Sequence, residues 1–161
     1  MKVNVINKST NKLPEYAKPG DAGMDLRADF SRGISDEYMY GAVYDEVREV
    51  VLVYPGGRYL VPTGLFTSFP PGYEFQVRPR SGLALKEGIT VLNTPGTIDA
   101  GYRNEWGVIL MNLGDDVFEI QHGDRIAQGV LGKVCLCEWN EVETLDESDR
   151  GKTGFGASGV K

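Results

Sequence analysis

The sequence predicts an all-β domain with one short helix. The chain has 161 residues, which is enough for one domain with a buried core. Its apolar runs are short, and many of its 21 glycines and 8 prolines lie between them as turn signals. Short, regularly spaced strands with frequent turns are typical of a sandwich, a jelly roll or a barrel.

Seven segments are predicted as strands from their apolar patterns. Residues 73–78 (YEFQVR) alternate apolar and polar side chains, which is typical of a half-buried strand. Residues 106–113 form a nearly continuous apolar run, which indicates a strand covered on both faces. The full set of predicted strands is residues 3–6, 59–69 (interrupted by Pro62 and Gly64), 73–77, 106–113, 117–120, 126–131 and 134–139.

The short helix is predicted over residues 81–87. Its sequence, SGLALKE, contains good helix formers, and Gly88 is placed to end it. The remaining boundaries are turn signals such as Pro70-Pro71-Gly72 and His122-Gly123-Asp124.

The charge and cysteine content exclude several function classes. A net charge of -6 and a pI near 4.8 argue against a general nucleic-acid or membrane binder, although a local basic pocket could still hold phosphates. Cys135 and Cys137 lie two positions apart on a predicted strand, where we expect them to pack as small side chains. With one histidine, His122, the chain lacks ligands for a zinc site. No secretory signal or membrane span is evident, so we expect a reduced, cytoplasmic protein.

Two segments differ from the rest of the chain. Residues 31–53 are rich in tyrosine and acidic side chains, and we expect an inserted surface hairpin or loop there. Residues 150–161 are rich in glycine and contain one aromatic residue, Phe155. This tail cannot bury enough apolar area to stay ordered by itself, so it is either a disordered end or a segment that folds over something. The expected division is a domain over residues 1–149 and a separate tail.

Five polar, glycine-rich strings contain the residues suited to chemistry. Each string is common in unrelated turns, and none is specific alone. Gly151-Lys152-Thr153 does not complete a phosphate-binding P-loop, because position 146 is Asp where that motif needs Gly. The five strings are residues 21–26 (DAGMDL), 79–84 (PRSGLA), 93–103 (NTPGTIDAGYR), 123–128 (GDRIAQ) and 150–156 (RGKTGFG).

Two of these strings contain groups that suit phosphate hydrolysis. Arg80 and Ser81 open the predicted helix, where an Arg fork, a hydroxyl and free amides could bind phosphate. The structural alternative is an N-cap Ser beside a solvated Arg. Asp99 lies between Gly96 and Gly101 and could deprotonate a water, or it could bond its own backbone as a turn residue.

Taken together and in this order, the five strings resemble the five motifs of the homotrimeric dUTPases. The resemblance runs from Asp21 to Gly159, with residues 31–53 outside it. The third motif continues through residues 98–112 (IDAGYRNEWGVILMN) almost position by position. The resemblance implies a β jelly roll or β-clip barrel that assembles as a homotrimer with active sites shared between subunits. It also implies hydrolysis of dUTP to dUMP and diphosphate, which limits uracil incorporation into DNA and supplies dUMP for thymidylate synthesis.

The resemblance also implies roles for individual residues. Asp99 would activate the water that attacks the α-phosphorus, and Tyr102 would lie against the deoxyribose and exclude a 2′-hydroxyl. Asp25 would support a Mg²⁺ ion through water, since magnesium is bound mainly by phosphate oxygens and water. The uracil-recognition residues would be Asn93, Thr97, Ile98 and Gly107. Arg80, Ser81 and Gly82 of a neighbouring chain would hold the phosphates, with Gln128 also near the phosphate chain.

The tail would close over the bound nucleotide as a lid. Arg150 would contact the γ-phosphate and Phe155 would stack on the uracil. Two positions depart from the family pattern, Asn104 in place of Gly and Thr97 in place of an apolar residue, and neither supplies a chemical group to the reaction.

Two rival functions follow from the same fold. The dCTP deaminases share several motif positions but place a catalytic Glu about ten residues after the Asp, where this chain has Ile109. The other rival is a binding module with reduced catalysis that acts through residues 31–53. The intact Asp99, Tyr102 and Phe155 favour the hydrolase.

Overall fold

The computed structural model describes residues 1–148, which form eleven strands and one helix. The elements are β1 (Asn4–Asn7), β2 (Gly23–Arg27), β3 (Met39–Asp45), β4 (Val50–Pro62), β5 (Leu65–Ser68), β6 (Tyr73–Arg78), α1 (Ser81–Glu87), β7 (Ile89–Val91), β8 (Gly96–Asp99), β9 (Gly107–Asn112), β10 (Phe118–Ile120) and β11 (Arg125–Lys133).

The strands form three antiparallel sheets around one core. Four strands pair in the order β2-β11-β6-β8, and the five-stranded sheet follows the order β10-β4-β9-β7 with β3 on β4. The strands β1 and β5 make a separate two-stranded ribbon. This arrangement confirms the predicted all-β fold with one short helix.

Aromatic side chains fill the core between the sheets. Phe75 on β6 contacts both Phe69, at a centroid distance of 5.4 Å, and Trp106, at 4.9 Å. The buried indole of Trp106 donates to the Thr67 hydroxyl at 3.0 Å, so its polar edge is satisfied. Trp106 immediately precedes β9 and thereby fixes where the β8–β9 connection enters the core.

The helix lies where the sequence predicts it. It spans Ser81–Glu87, and Gly88 ends it in the left-handed conformation at φ 68°. A side chain at Gly88 would also collide with Gly114, whose backbone lies 2.6 Å from an added Cβ. The strands β2, β7 and β8 were not predicted, because each has five residues or fewer and carries polar or glycine positions.

The predicted strand over residues 134–139 is wrong. Val134 donates to the Gly72 carbonyl at 3.0 Å, but residues 135–148 form no further backbone hydrogen bond with the described chain. Cys135 and Cys137 are therefore exposed free thiols and not packed strand residues. Leu136 and Trp139 are 91% and 92% exposed, so the apolar pattern that suggested a strand has no partner surface within residues 1–148.

Residues 31–53 contain the hairpin formed by β3 and the start of β4. Its tip is solvated, with Val47 fully exposed, and Tyr40 stacks under the Arg58 guanidinium at 4.3 Å. The expectation of a surface insertion does not describe its second half, because Val50, Val51 and Val53 are buried in the core. These residues pair with β10 and β3, so the hairpin is an integral part of the five-stranded sheet.

A buried acid, Asp29, lies between β2 and β3. Its carboxylate accepts hydrogen bonds from the Ser31 amide and hydroxyl and from Arg32 Nε at 2.8 Å. Burial opposes ionisation of Asp29, but these hydrogen bonds outweigh burial and lower its pKa below the ordinary value of 3.8.

Replacing Asp29 by Asn is expected to make the free energy of unfolding less dependent on pH in the acid range. Because its folded-state pKa is lowered, Asp29 stabilises the fold fully above its unfolded value of 3.8 and loses that contribution as the pH falls through the folded value. Urea unfolding between about pH 3 and pH 6 should show a steeper loss in the wild type than in Asp29→Asn. Asp115→Asn, at an exposed turn carboxyl, is the matched control. Equal slopes in wild type and Asp29→Asn would contradict the expectation.

Among residues 1–148, no helix has the length and apolar character needed to cross a membrane.

Candidate functional site

A pocket of about 260 Å³ opens between β8 and the start of β9, which belong to different sheets. Five of the residues predicted to contact the nucleoside line it: Asn93, Thr97, Ile98, Tyr102 and Gly107. Its floor is apolar, with Leu60, Val77 and Ile109, and its rim is polar. An apolar slot with a few polar groups at its edge suits a flat heterocycle.

The pocket has unpaired backbone on one wall because β8 is an edge strand. One side of β8 pairs with β6, whereas no strand pairs with its other side within residues 1–148. Alternate N–H and C=O groups of residues 96–99 therefore remain available to a ligand. A Cβ added at Gly96 would lie 3.2 Å from the Asn93 side-chain amide nitrogen, so a larger residue there would shift the Asn93 side chain.

Tyr102 forms part of the pocket wall and is held at both ends. Its backbone N–H donates to the Asp99 carbonyl at 3.0 Å, and its hydroxyl donates to the Glu105 carbonyl at 3.0 Å. Arg103 also donates to the Ala100 and Tyr102 carbonyls. The connection between β8 and β9 is thus a tightly bonded loop that presents the Tyr102 ring to the pocket.

Asp99 ends β8, next to the pocket residue Ile98, and its side chain is exposed. Its carboxylate accepts no hydrogen bond from residues 1–148, so the alternative of a turn Asp bonding its own backbone is wrong for this part of the chain. Glu74 lies directly opposite on β6, on the same outer face of the sheet. Asp99 is therefore an exposed carboxylate free to bind a water molecule.

A second cluster contains Asp25, Arg80 and Gln128. Arg80 Nε donates to Asp25 Oδ1 at 2.9 Å, and Arg80 Nη1 donates to the Arg125 carbonyl at 2.9 Å. Gln128 Nε2 donates to the Pro79 carbonyl at 2.9 Å, which fixes the turn before α1. The structure therefore brings together predicted residues that lie 55 and 48 positions apart in the chain.

Ser81 and Gly82 begin α1 next to this cluster and are exposed. The helix N-cap is Arg80, which makes no side-chain cap hydrogen bond. The alternative that Ser81 serves as the N-cap is therefore wrong, and its hydroxyl remains available to a ligand.

Two residues of these clusters were missed from the sequence. Arg125 contacts Asp25 Oδ2 at 3.2 Å, and its position inside the string GDRIAQ was the available signal. Glu105 lines the pocket beside Tyr102, and its only signal was its place in the extended third string. Of the predicted residues, Arg150 and Phe155 lie outside the described residues.

The two clusters are far apart within one chain. Asp99 pairs with Glu74 on β6, and the cluster around Asp25 and Gln128 is level with Arg78 on the same strand. Four residues along the strand are about 13 Å and three strand spacings across the sheet are about 14 Å, so about 19 Å separate Asp99 from the cluster. One chain therefore cannot bring Asp99 and Arg80 to adjacent phosphates of one nucleotide.

The side chains of residues 1–148 do not form a metal site from protein ligands alone. No group of three or more His, Cys, Asp or Glu side chains is placed to hold a cation among residues 1–148. Each oxygen of Asp25 accepts one Arg hydrogen bond, and a carboxylate has further lone pairs that can accept from metal-bound water. The residues therefore fit a hydrated ion that a phosphate ligand brings with it.

Comparison with known proteins gives a consistent result. A family model described as dUTPase matches residues 34–159. The match includes residues 34–53, so this segment belongs to the family's domain and is not outside the resemblance. A deoxyuridine 5′-triphosphate nucleotidohydrolase of Beijerinckia indica is 50% identical over 91% of this chain and 82% of its own length. The enzyme of that name from Finegoldia magna is 46% identical over 99% of both chains.

Solved structures agree with the fold. A Staphylococcus bacteriophage 80alpha dUTPase mutant with dUpNHpp superposes with a TM-score of 0.79 at 24% identity, over 99% of both chains. A further structure of the 80alpha dUTPase with this ligand gives a TM-score of 0.75 at 26% identity over 99% of both chains. A phage phi11 dUTPase mutant described as coordinating a structural Mg(II) ion gives 0.72 at 21% identity, over 91% of this chain and 100% of its own.

Proposed function

The chain belongs to the dUTPase family, and from this premise we propose that it hydrolyses dUTP to dUMP and diphosphate. The observation that carries the proposal is the pocket at the open edge of β8, together with Asp99 at the end of that strand, whose exposed carboxylate accepts no hydrogen bond from residues 1–148. The pocket suits a pyrimidine, and the carboxylate suits activation of water. The reaction limits uracil incorporation into DNA and supplies dUMP for thymidylate synthesis.

Uracil is recognised by the open edge of β8 and by Asn93. The free N–H and C=O groups around Thr97 and Ile98, with those of Gly107, match the alternating donors and acceptors of the uracil edge. Cytosine presents an amino group where uracil presents a carbonyl, so it leaves a backbone donor unpaired. The Tyr102 ring lies against the sugar and leaves no room for a 2′-hydroxyl.

Asp99 acts as the general base. It takes a proton from a bound water, the water oxygen forms a bond to the α-phosphorus, and the bond from that phosphorus to the bridging oxygen breaks with release of diphosphate. The exposed carboxylate, which accepts no hydrogen bond from residues 1–148, supports this role, because no bond with that part of the chain has to break before the water binds.

The phosphates are bound by the second cluster. Arg80 supplies a guanidinium, Ser81 and Gly82 supply a hydroxyl and amides, and Gln128 lies beside them. Asp25 holds Arg80 in place and would accept hydrogen bonds from the water of a bound Mg²⁺ ion. When bound to the phosphates, Mg²⁺ would neutralise charge on the departing diphosphate.

We propose a homotrimer in which each active site is shared. The separation of about 19 Å between Asp99 and the Arg80 cluster supports this arrangement, because a neighbouring chain can supply the missing phosphate-binding groups. The exposed apolar side chains of Leu136 and Trp139 and an apolar groove of about 240 Å³ lined by Val3, Leu13 and Met24 provide surface for such contacts.

The tail over residues 150–161 is proposed as a lid. Arg150 would bind the γ-phosphate and Phe155 would stack on the uracil, both from a glycine-rich segment that can adapt to the bound nucleotide. Two exposed free thiols, Cys135 and Cys137, support a reducing, cytoplasmic location.

The dCTP deaminase alternative lacks its acid. Ile109 occupies the position of the catalytic Glu and lines the floor of the pocket among apolar side chains. No observation favours the binding-module alternative over catalysis, because the hairpin of residues 31–53 contributes to the core of the catalytic domain.

Steady-state diphosphate release from dUTP, dTTP, dCTP and UTP tests the function. We expect kcat/KM for dUTP to exceed that for each other nucleotide by at least about 100-fold, because each one adds a clash or leaves a polar group unpaired. Ammonia is measured in the dCTP reaction as the control for deamination. Ammonia release without diphosphate release, or equal rates for all four nucleotides, would contradict the proposed function.

A further inference from the structure

Glu105 connects three parts of the chain at the wall of the nucleoside pocket. Its carboxylate accepts a hydrogen bond from the Gly64 amide at 2.7 Å and an ion pair from Arg32 Nη2. Its backbone carbonyl accepts the Tyr102 hydroxyl at 3.0 Å. The position of the Tyr102 ring therefore depends on where Glu105 is held.

Arg32 is itself fixed from behind by a buried acid. Its Nε donates to Asp29 Oδ2 at 2.8 Å, and the Asp29 side chain is fully buried and also bonded to Ser31. An exposed Arg that pairs with one acid gains little stability, because holding the long side chain in one conformation costs entropy. The Arg32 guanidinium instead binds two carboxylates, those of Asp29 and Glu105, and this pair of contacts restricts its position beside Glu105.

A second cavity beside Glu105 provides space into which Glu105 could move if Arg32 did not hold it. About 300 Å³ of open space, lined by Arg32, Ser35 and Tyr38, adjoins the nucleoside pocket and shares Glu105, Leu60 and Gly107 with it. Glu105 therefore lines both cavities. Without Arg32, the Glu105 side chain and the loop that carries Tyr102 have room to move into this second cavity.

We propose that Arg32 is a positioning residue that sets sugar selection through Glu105 and Tyr102. The inference rests on the proposed function, in which Tyr102 excludes a 2′-hydroxyl. It gives residues 31–53 a part in specificity, because this segment supplies the support for a pocket wall that belongs to the third motif.

The test compares dUTP with UTP in Arg32→Ala. We expect kcat/KM for dUTP to fall about tenfold, mainly through a higher KM, and the ratio of dUTP to UTP to fall by a similar factor, because the sugar wall becomes mobile. Arg32→Lys should restore part of the ratio, since an ammonium can still contact Glu105. The double variant Arg32→Ala/Glu105→Gln should lose little more than Arg32→Ala alone, because both changes break one contact.

The matched control is Arg48→Ala. Arg48, at the tip of the hairpin formed by β3 and β4, makes an ion pair with Glu119 on β10, and both side chains are well exposed and do not line the pocket. Its thermal midpoint and its dUTP to UTP ratio should both stay close to wild type.

The outcomes separate positioning from stability and from the proposed function. An Arg32→Ala variant with an unchanged ratio of dUTP to UTP activity overturns the inference. A variant whose kcat falls in parallel with its folded fraction, while KM and this ratio stay constant, also overturns it, because Arg32 then contributes only to stability. A wild-type chain that releases no diphosphate from dUTP contradicts the proposed function instead.

Discussion

Asp99→Asn is expected to lower dUTP turnover by about 10³-fold while leaving the fold intact. Asparagine has nearly the same shape as aspartate but cannot accept a proton from water at neutral pH. The Asp99 carboxylate makes no hydrogen bond with the described chain, so the substitution removes no structural contact. Diphosphate release gives the rate, and calorimetry with dUMP should show binding within a few-fold of wild type.

A nearby carboxylate, Glu74, provides the control for this prediction. Glu74 lies opposite Asp99 on the same face of the sheet and accepts a hydrogen bond from Gln76 Nε2 at 2.7 Å. Glu74→Gln removes an equal charge from this face, and we expect it to retain near wild-type turnover. If Glu74→Gln were inactive and Asp99→Asn active, the general base would be Glu74.

Two inactive variants are expected to restore each other's activity when they share a trimer. Asp99→Asn lacks the base, and Arg80→Ala lacks the guanidinium that binds phosphate. Because strand spacing places Asp99 about 19 Å from Asp25, which Arg80 contacts, each site is proposed to take Asp99 and Arg80 from different chains. In a mixed cyclic trimer, one boundary of three joins an intact Asp99 to an intact Arg80, so about one third of the wild-type rate should return.

The experiment requires co-expression of the two variants with different tags and tandem purification of the mixed trimers. Co-expression of Asp99→Asn with the double variant Asp99→Asn/Arg80→Ala is the control, because no boundary in that mixture contains Asp99. Mixed trimers of confirmed mass that stay inactive would show that both residues act within one subunit. Purification of monomers alone would contradict the trimer.

The sequence predicted the elements that depend on local patterns. The helix over residues 81–87 follows from helix formers that end at a glycine, and residues 73–78 follow from strict alternation. The same local logic failed at residues 134–139, where an apolar pattern suggested a strand but the described chain offers no neighbouring strand. A strand needs a partner, and periodicity alone carries no information about one.

In the candidate site, too, local motifs were predicted and long-range contacts were missed. Motif resemblance located Asn93, Ile98 and Tyr102, and the folded chain places all three at one pocket, because they lie within ten positions of one another around β8. Arg125 and Glu105 were missed because their contacts join positions 100 and 73 residues apart, with no sequence period to indicate them.

Local sequence was therefore sufficient for the all-β class, the helix and the chemical groups around β8, since backbone preferences and side-chain alternation act over a few residues. The resemblance already implied that Asp99 and Arg80 act from different chains; the folded chain was needed to show how far apart their clusters lie and that Arg32 contacts Glu105. Those facts depend on strand order and register, which place residues distant in sequence at fixed spacings across a sheet.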